Sequence, residues 1–165
     1  NNPILDDKLD TWVALFFMAP INTKNVHRSN VLMNHLYGED FCYNEMWVQG
    51  SGDAGKAAAD FISSSNPLSD APKPGEGPSR ESRENGNYDV LFCGDIDEQS
   101  VHVSVKGDMD PGYGSTSKMI SESAICLVKE CEDLHGGIYT PAPAMGTKLI
   151  QRLQDNAGLT FEIEN

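Results

Sequence analysis

Val90-Leu91-Phe92-Cys93-Gly94-Asp95-Ile96-Asp97-Glu98-Gln99-Ser100-Val101-His102-Val103-Ser104-Val105 holds two short apolar runs on either side of a mostly polar stretch. The second run alternates Val with His and Ser, a period of two, which sets Val101, Val103 and Val105 on one face of a strand. Joined through the turn 95–100 to Val90–Cys93, it predicts an antiparallel hairpin whose three valines share the buried face. A parallel central strand would instead be a near-continuous run of Val, Ile and Leu.

Two helices are predicted after the hairpin. Asp110-Pro111 and Thr140-Pro141 each set a capping side chain before a proline at the first helical position. Ile120, Ala124, Leu127, Cys131 and Leu134 form one apolar stripe, and Met145, Leu149 and Leu153 form another. Gly158 suits the left-handed position past a helix end, and Leu159, Phe161 and Ile163 alternate with polar residues as a last strand. Before the hairpin, Pro20 opens a helix over 20–37 through Val26, Asn30, Met33 and Tyr37, with Gly38 ending it. The alternation over 41–49 predicts a strand, and the alanines of 54–62 a short helix. The stretch 63–88 carries four of the nine prolines and few apolar side chains, so it is expected to be a long surface loop. The order helix, strand, helix, hairpin, helix, helix, strand indicates an α+β domain, a mixed or mainly antiparallel sheet with helices packed on one face. At 165 residues, 1–165 is expected to be one domain.

Composition narrows the partners. Twelve Lys and Arg against twenty-five Asp and Glu leave a net charge of −13, so a nucleic acid is not an expected partner. The longest apolar run, Trp12–Pro20, is too short to be a transmembrane segment, and no basic leader precedes it. Cys42, Cys93, Cys126 and Cys131 include no Cys-x-x-Cys pair, which points to free thiols in a cytoplasmic setting. The four His are scattered, and no metal site is expected.

Gly50-Ser51-Gly52-Asp53-Ala54-Gly55 satisfies G-x-G-x-x-G between a predicted strand and a predicted helix. The strand before it is polar, Asp53 would face a pyrophosphate, and the following chain runs into the proline-rich stretch, so it is expected to be a glycine-rich turn that binds no cofactor. Tyr113 and Lys118 are five apart, roughly 140° around a helix, too far for a shared proton relay. The hydroxyls of Ser115, Thr116 and Ser117 are expected to cap N–H groups at that helix start, with Lys118 helping it to attract an anionic substrate group. Asn22, Thr23, His27 and Arg28 form a polar cluster on the first helix, either lining a cleft or facing solvent. No Gly-x-Ser-x-Gly occurs, which disfavours a serine hydrolase.

Longer stretches carry a resemblance. Asp110-Pro-Gly-Tyr-Gly-Ser-Thr-Ser-Lys-Met-Ile-Ser-Glu-Ser-Ala, Gly136-Gly-Ile-Tyr-Thr-Pro-Ala-Pro-Ala-Met-Gly and Gly158-Leu-Thr-Phe-Glu-Ile-Glu closely resemble the carboxy-terminal end of saccharopine dehydrogenase family proteins. Trp12-Val-Ala-Leu-Phe-Phe-Met-Ala-Pro-Ile-Asn-Thr, Arg28-Ser-Asn, Tyr37-Gly-Glu-Asp-Phe and Lys73-Pro-Gly-Glu-Gly-Pro-Ser resemble the branch that includes trans-acting enoyl reductases. The resemblance implies an N-terminal Rossmann domain binding NAD or NADP, absent from this chain, which also lacks an initiator methionine. It implies that the chain is the substrate-side or dimerisation domain of an oxidoreductase, inactive alone, with that Rossmann domain, a small-molecule substrate and a second copy in a homodimer as partners. Asn22, Arg28, Tyr113 and Lys118 are then the substrate-cleft candidates, and no catalytic residue is assigned. The alternative is a non-enzymatic binding or dimerisation module, with a lipid-like ligand as one option.

Overall fold

The computed structural model describes residues 2–65, 73 and 75–164. The chain divides into two compact units, Asn1–Pro72 and Lys73–Asn165, the division falling inside the predicted 63–88 loop. Of that loop, residues 66–72 and 74 lie outside the described residues. The rest is not all loop, because a five-residue helix forms within it.

The first unit contains β1 (Ile4–Asp6), β2 (Thr11–Leu15), α1 (Ala19–Leu32), β3 (Met46–Gly50) and α2 (Gly52–Ser64). Its strands form an antiparallel sheet in the order β1-β2-β3, with Ile4 opposite Val13 and Ala14 opposite Trp47. Neither β1 nor β2 is among the elements the sequence pattern predicts. Charged residues crowd the link between them, where the Asp6 carboxylate accepts the Lys8 and Leu9 N–H groups and Asp10 takes a left-handed φ of 48°. Beyond that turn Val13 and Ala14 are buried, and α2 packs on β2 and β3 through Gly55 and Ala59.

The first helix stops five residues before its predicted end. Asn34 and His35 adopt left-handed φ of 55° and 59°, and the buried Asn30 organises the turn. Its Nδ2 donates to the Gly38 carbonyl at 2.7 Å and its Oδ1 accepts the Tyr37 N–H at 2.8 Å. The predicted strand 41–49 is likewise shortened to Met46–Gly50. Phe41, instead of pairing in a ladder, sets its ring against those of His27 and Tyr37 at centroid distances of 5.6 and 5.2 Å.

The second unit contains α3 (Arg80–Glu84), β4 (Tyr88–Ile96), β5 (Gln99–Gly107), α4 (Gly114–Glu130), α5 (Pro141–Asn156) and β6 (Leu159–Glu164). The sheet is antiparallel in the order β4-β5-β6. The hairpin is longer than predicted. Ile96 stands opposite Gln99, so only Asp97, at a φ of 52°, and Glu98 make the turn. Leu153, Ala157 and Leu159 form the core, with Val105, Met119, Leu149 and Phe161 against it. Val101, Val103 and Val105 do share a face, but the expectation that all three are buried fails: helices cover the Val105 end, and Val101 is half exposed.

The stripe predicted for α4 is also not its buried face. Ile120 and Leu127 are exposed, while Ser115 and Cys126 are buried. Inward carboxylates explain the difference. Glu122 Oε2 and Glu130 Oε1 meet Arg152 of α5 at 2.6 and 2.7 Å, so the side of α4 turned to α5 carries an ion-paired seam and not the apolar stripe. The α5 stripe behaves as expected, with Met145 and Leu153 buried and Gly158 left-handed just past the helix end. The described residues therefore form an α+β chain of five helices, about 42% helical and 24% strand, with its strands in two small antiparallel sheets instead of one.

Candidate functional site

The sequence candidates fall into both units. In the first, Asn22 is half-buried, and its Nδ2 donates to Glu45 Oε2 at 2.9 Å; the Tyr43 hydroxyl donates to Glu45 Oε1 at 2.7 Å. Burial pushes the Tyr43 phenol well above its ordinary value, and the hydrogen bond to Glu45 and its charge push the same way. A tyrosine held so firmly protonated is a poor proton donor. The group therefore ties α1 to the segment 43–45, and Arg28 lies exposed on the same helix.

In the second unit the helix start is built around Asp110. Its carboxylate accepts the N–H groups of Gly112, Tyr113 and Gly114 at 3.0, 3.0 and 2.6 Å. Burial acts to raise the Asp110 pKa, but these three bonds and the nearby Arg83 charge outweigh it and hold the carboxyl below its ordinary value. Two sequence expectations are corrected here. Regular helix begins at Gly114, three residues after Pro111, and the hydroxyls of Thr116 and Ser117 donate to the carbonyls of Pro111 and Gly114 instead of capping N–H groups. Ser115 Oγ pairs with the Tyr88 hydroxyl at 2.8 Å. The helix start thus already holds an anion of its own, and Lys118 pairs with Asp108 at 3.1 Å instead of reinforcing a site for a foreign one. Tyr113 is exposed, its ring beside Gly77.

Gly50–Gly55 runs from the end of β3 through Ser51 into the first turn of α2. Because β3 pairs antiparallel with β2, the turn lacks the parallel strand–helix–strand setting that a dinucleotide needs. The third glycine meets backbone: a Cβ on Gly55 would lie 1.9 Å from the Gly50 carbonyl oxygen. The Gly50 N–H donates to Thr11 Oγ1 and the Ser51 hydroxyl to the Asp10 carbonyl, so the turn is anchored to the β1–β2 link. These residues do not fit a pyrophosphate. Among the described residues no cluster of three or more His, Cys, Asp or Glu could hold a metal ion.

Sequence reasoning singled out the Gly136–Gly146 motif without assigning it a site. An open groove of about 530 Å3 runs between the end of α4 and the start of α5, lined by Leu127, Cys131, Leu134, Tyr139, Ala144 and Met145 among others. That volume falls within the roughly 300–1,000 Å3 of small-molecule sites. Gly137 makes room for its rim, since a Cβ there would lie 2.8 Å from the Tyr139 ring. The signal was present in the sequence: Leu127, Cys131 and Leu134 are in the stripe read as core, and they line the groove instead. Its lining combines these apolar side chains with the polar groups of Tyr139, Thr140 and His135.

A Mycobacterium tuberculosis protein provisionally named as a trans-acting enoyl reductase is 34% identical over 86% of this chain. Proteins named trans-acting enoyl reductase from Mycobacterium ulcerans and Mycobacterium bovis are each 30% identical over the same share. The chain is a sequence relative of trans-acting enoyl reductases. It spans 39% of the length of each of these enoyl reductases. No family profile and no solved structure matches it. None of the helices described is long and apolar enough to cross a membrane.

Proposed function

We propose that this chain is the substrate-side part of a saccharopine dehydrogenase-like, NAD(P)-dependent enoyl reductase. The observation that carries the proposal is the similarity itself: 30–34% identity over 86% of this chain to oxidoreductases of which it spans 39%. In this reading a nicotinamide cofactor, held by a Rossmann portion that the chain does not include, supplies hydride to an α,β-unsaturated acyl group. The groove between α4 and α5 takes the acyl chain along Leu127, Leu134 and Met145, and the cleft candidates are Asn22 and Arg28 in the first unit and Tyr113 and Lys118 in the second. The proposed setting is cytoplasmic.

Titration of NADPH and NADH into this chain and into the full-length protein, followed by turnover of an enoyl thioester, tests the proposal. Cofactor binding and reduction confined to the full-length protein are expected. Micromolar binding to the chain alone would overturn the division of labour, and a full-length protein that binds neither cofactor would favour a non-enzymatic module for a lipid-like ligand. Within an active protein, Ala144→Trp should fill the groove and shift preference toward shorter acyl chains; an unchanged chain-length profile would remove the groove from the substrate path.

A further inference from the structure

The β4-β5-β6 sheet packs one face on the core through Val105 and Phe161, and its other face carries a row of three chemically active groups. Cys93 of β4 stands opposite His102 of β5, and His102 stands opposite Glu164 of β6. Pairing type sets how close they come. Ile96 and Gln99 flank the turn as a hydrogen-bonded pair, and pair types alternate from there, so Cys93 and His102 form a non-hydrogen-bonded pair. Such a pair brings side chains nearest, with Cβ atoms roughly 4.5 Å apart. Cys93 is exposed and His102 half-buried. Next to His102 on the same face of β5, Ser104 is 1% exposed, and its hydroxyl has no hydrogen-bond partner among the described residues.

We propose that Cys93, with His102 as its base, is a modification site that takes half of a small cationic disulfide into a mixed disulfide. The Cys93 thiol passes its proton to His102, and the thiolate attacks one sulfur of the disulfide. A new S–S bond forms as the old one breaks, and the departing thiolate takes the proton back from the imidazolium. Cys93 is oxidised and half of the small disulfide is reduced to a thiol, so no further oxidant is required. Glu164, on the other side of the ring, faces the imidazolium charge that the transfer creates. Lys106 is committed elsewhere, its Nζ lying 3.7 Å from Asp89 and 3.6 Å from Glu164. The Ser104 hydroxyl is left for a polar group of the reagent to satisfy. Charge selects the disulfide. Asp89, Asp95, Glu162 and Glu164 share this face, Lys106 is the only Lys or Arg in the three strands, and the chain carries a net charge of −13. A disulfide with ammonium ends is therefore drawn in, and one with carboxylate ends is repelled. The inference does not depend on the enzymatic reading.

Peptide mass spectrometry of the chain during incubation with cystamine, near neutral pH and at low salt, is the test. The adduct is expected at Cys93 about tenfold faster than at Cys42, which is also exposed but spends its S–H on the Asp40 carbonyl. Oxidised glutathione, which carries net negative charge, should react more slowly than cystamine at Cys93, and salt should narrow the gap. His102→Gln should slow Cys93 about tenfold near neutral pH and leave Cys42 unchanged. Above about pH 10, where a thiol ionises unaided, the variant and the wild type should converge, which a merely structural role for His102 would not produce. Glu164→Gln, at the sheet edge, tests the same row with little demand on the fold and should slow Cys93 by a smaller factor. Equal rates at Cys93 and Cys42, an unchanged Cys93 rate in His102→Gln, or a preference for oxidised glutathione would each overturn the proposal.

Discussion

Asn30→Ala should destabilise the first unit by about 2 kcal/mol, roughly 1 kcal/mol for each lost hydrogen bond. Asn30 is 4% exposed and serves two backbone groups at once, the Gly38 carbonyl at 2.7 Å and the Tyr37 N–H at 2.8 Å. Truncation leaves both without their partner, in a turn whose neighbours Asn34 and His35 already hold unfavourable left-handed backbone. For a unit the size of Asn1–Pro72, the midpoint of thermal unfolding should fall by roughly 10–20 °C. The assay is unusually clean because both tryptophans, Trp12 and Trp47, belong to this unit, so intrinsic fluorescence during urea unfolding follows it selectively. Asn30→Asp sharpens the test. It keeps an acceptor for Tyr37 but loses the donor to Gly38 and buries a charge, so the Asp pKa is raised in the folded state and the variant should recover stability as pH falls through that raised value. A loss below about 0.5 kcal/mol for Asn30→Ala, or no acid recovery for Asn30→Asp, would refute the claim that this side chain holds the turn.

Gly55→Ala should cost more than about 3 kcal/mol, because its Cβ would collide with the Gly50 carbonyl; tryptophan fluorescence in urea reads the loss, which should appear without any cofactor in the sample. Asp110 titrates lower in the folded chain than in the unfolded one, so its contribution is complete above the ordinary carboxyl pKa of 3.8 and disappears as pH falls through the lowered value. Asp110→Asn should therefore lose less stability than wild type between pH 5 and pH 3, measured by urea unfolding followed by far-ultraviolet circular dichroism. Burial, with Cys131 and Glu130 adding to it, pushes the Cys126 thiol up; iodoacetamide under native conditions should label Cys42 and Cys93 well before Cys126, and comparable labelling of all three would contradict the packing of α4.

What could be read in the sequence was whatever period and turn chemistry control locally. The β4–β5 hairpin, the α5 stripe and the glycine after α5 follow from alternation, spacing and φ preference, each independent of distant residues. The misses share another origin. Nothing local marks Glu122 and Glu130 as buried-facing, because their counter-charge comes from Arg152, more than twenty residues on. Asn30 reads as a helical position until its amide is seen serving Tyr37 and Gly38. At the candidate site the residue types were legible but their employment was not: Lys118 is committed to Asp108, Asn22 to Glu45, and the N–H groups of the α4 start to Asp110. The groove lining lay hidden in a stripe that periodicity assigns to core, because an apolar ligand surface and an apolar core surface carry the same pattern.

Gly146 interrupts α5 with φ 52° and ψ −134°, a conformation that glycine adopts at little cost and that side-chain-bearing residues avoid. Before it stands the short turn Pro141–Met145, which walls the groove; after it runs the segment carrying Leu149, Arg152 and Leu153 into the core and the ion-paired seam. The glycine is therefore the joint of the element: wall and anchor meet at a backbone conformation that a side chain makes costly, so Gly146→Ala should strain the groove's edge and the start of the anchored segment together.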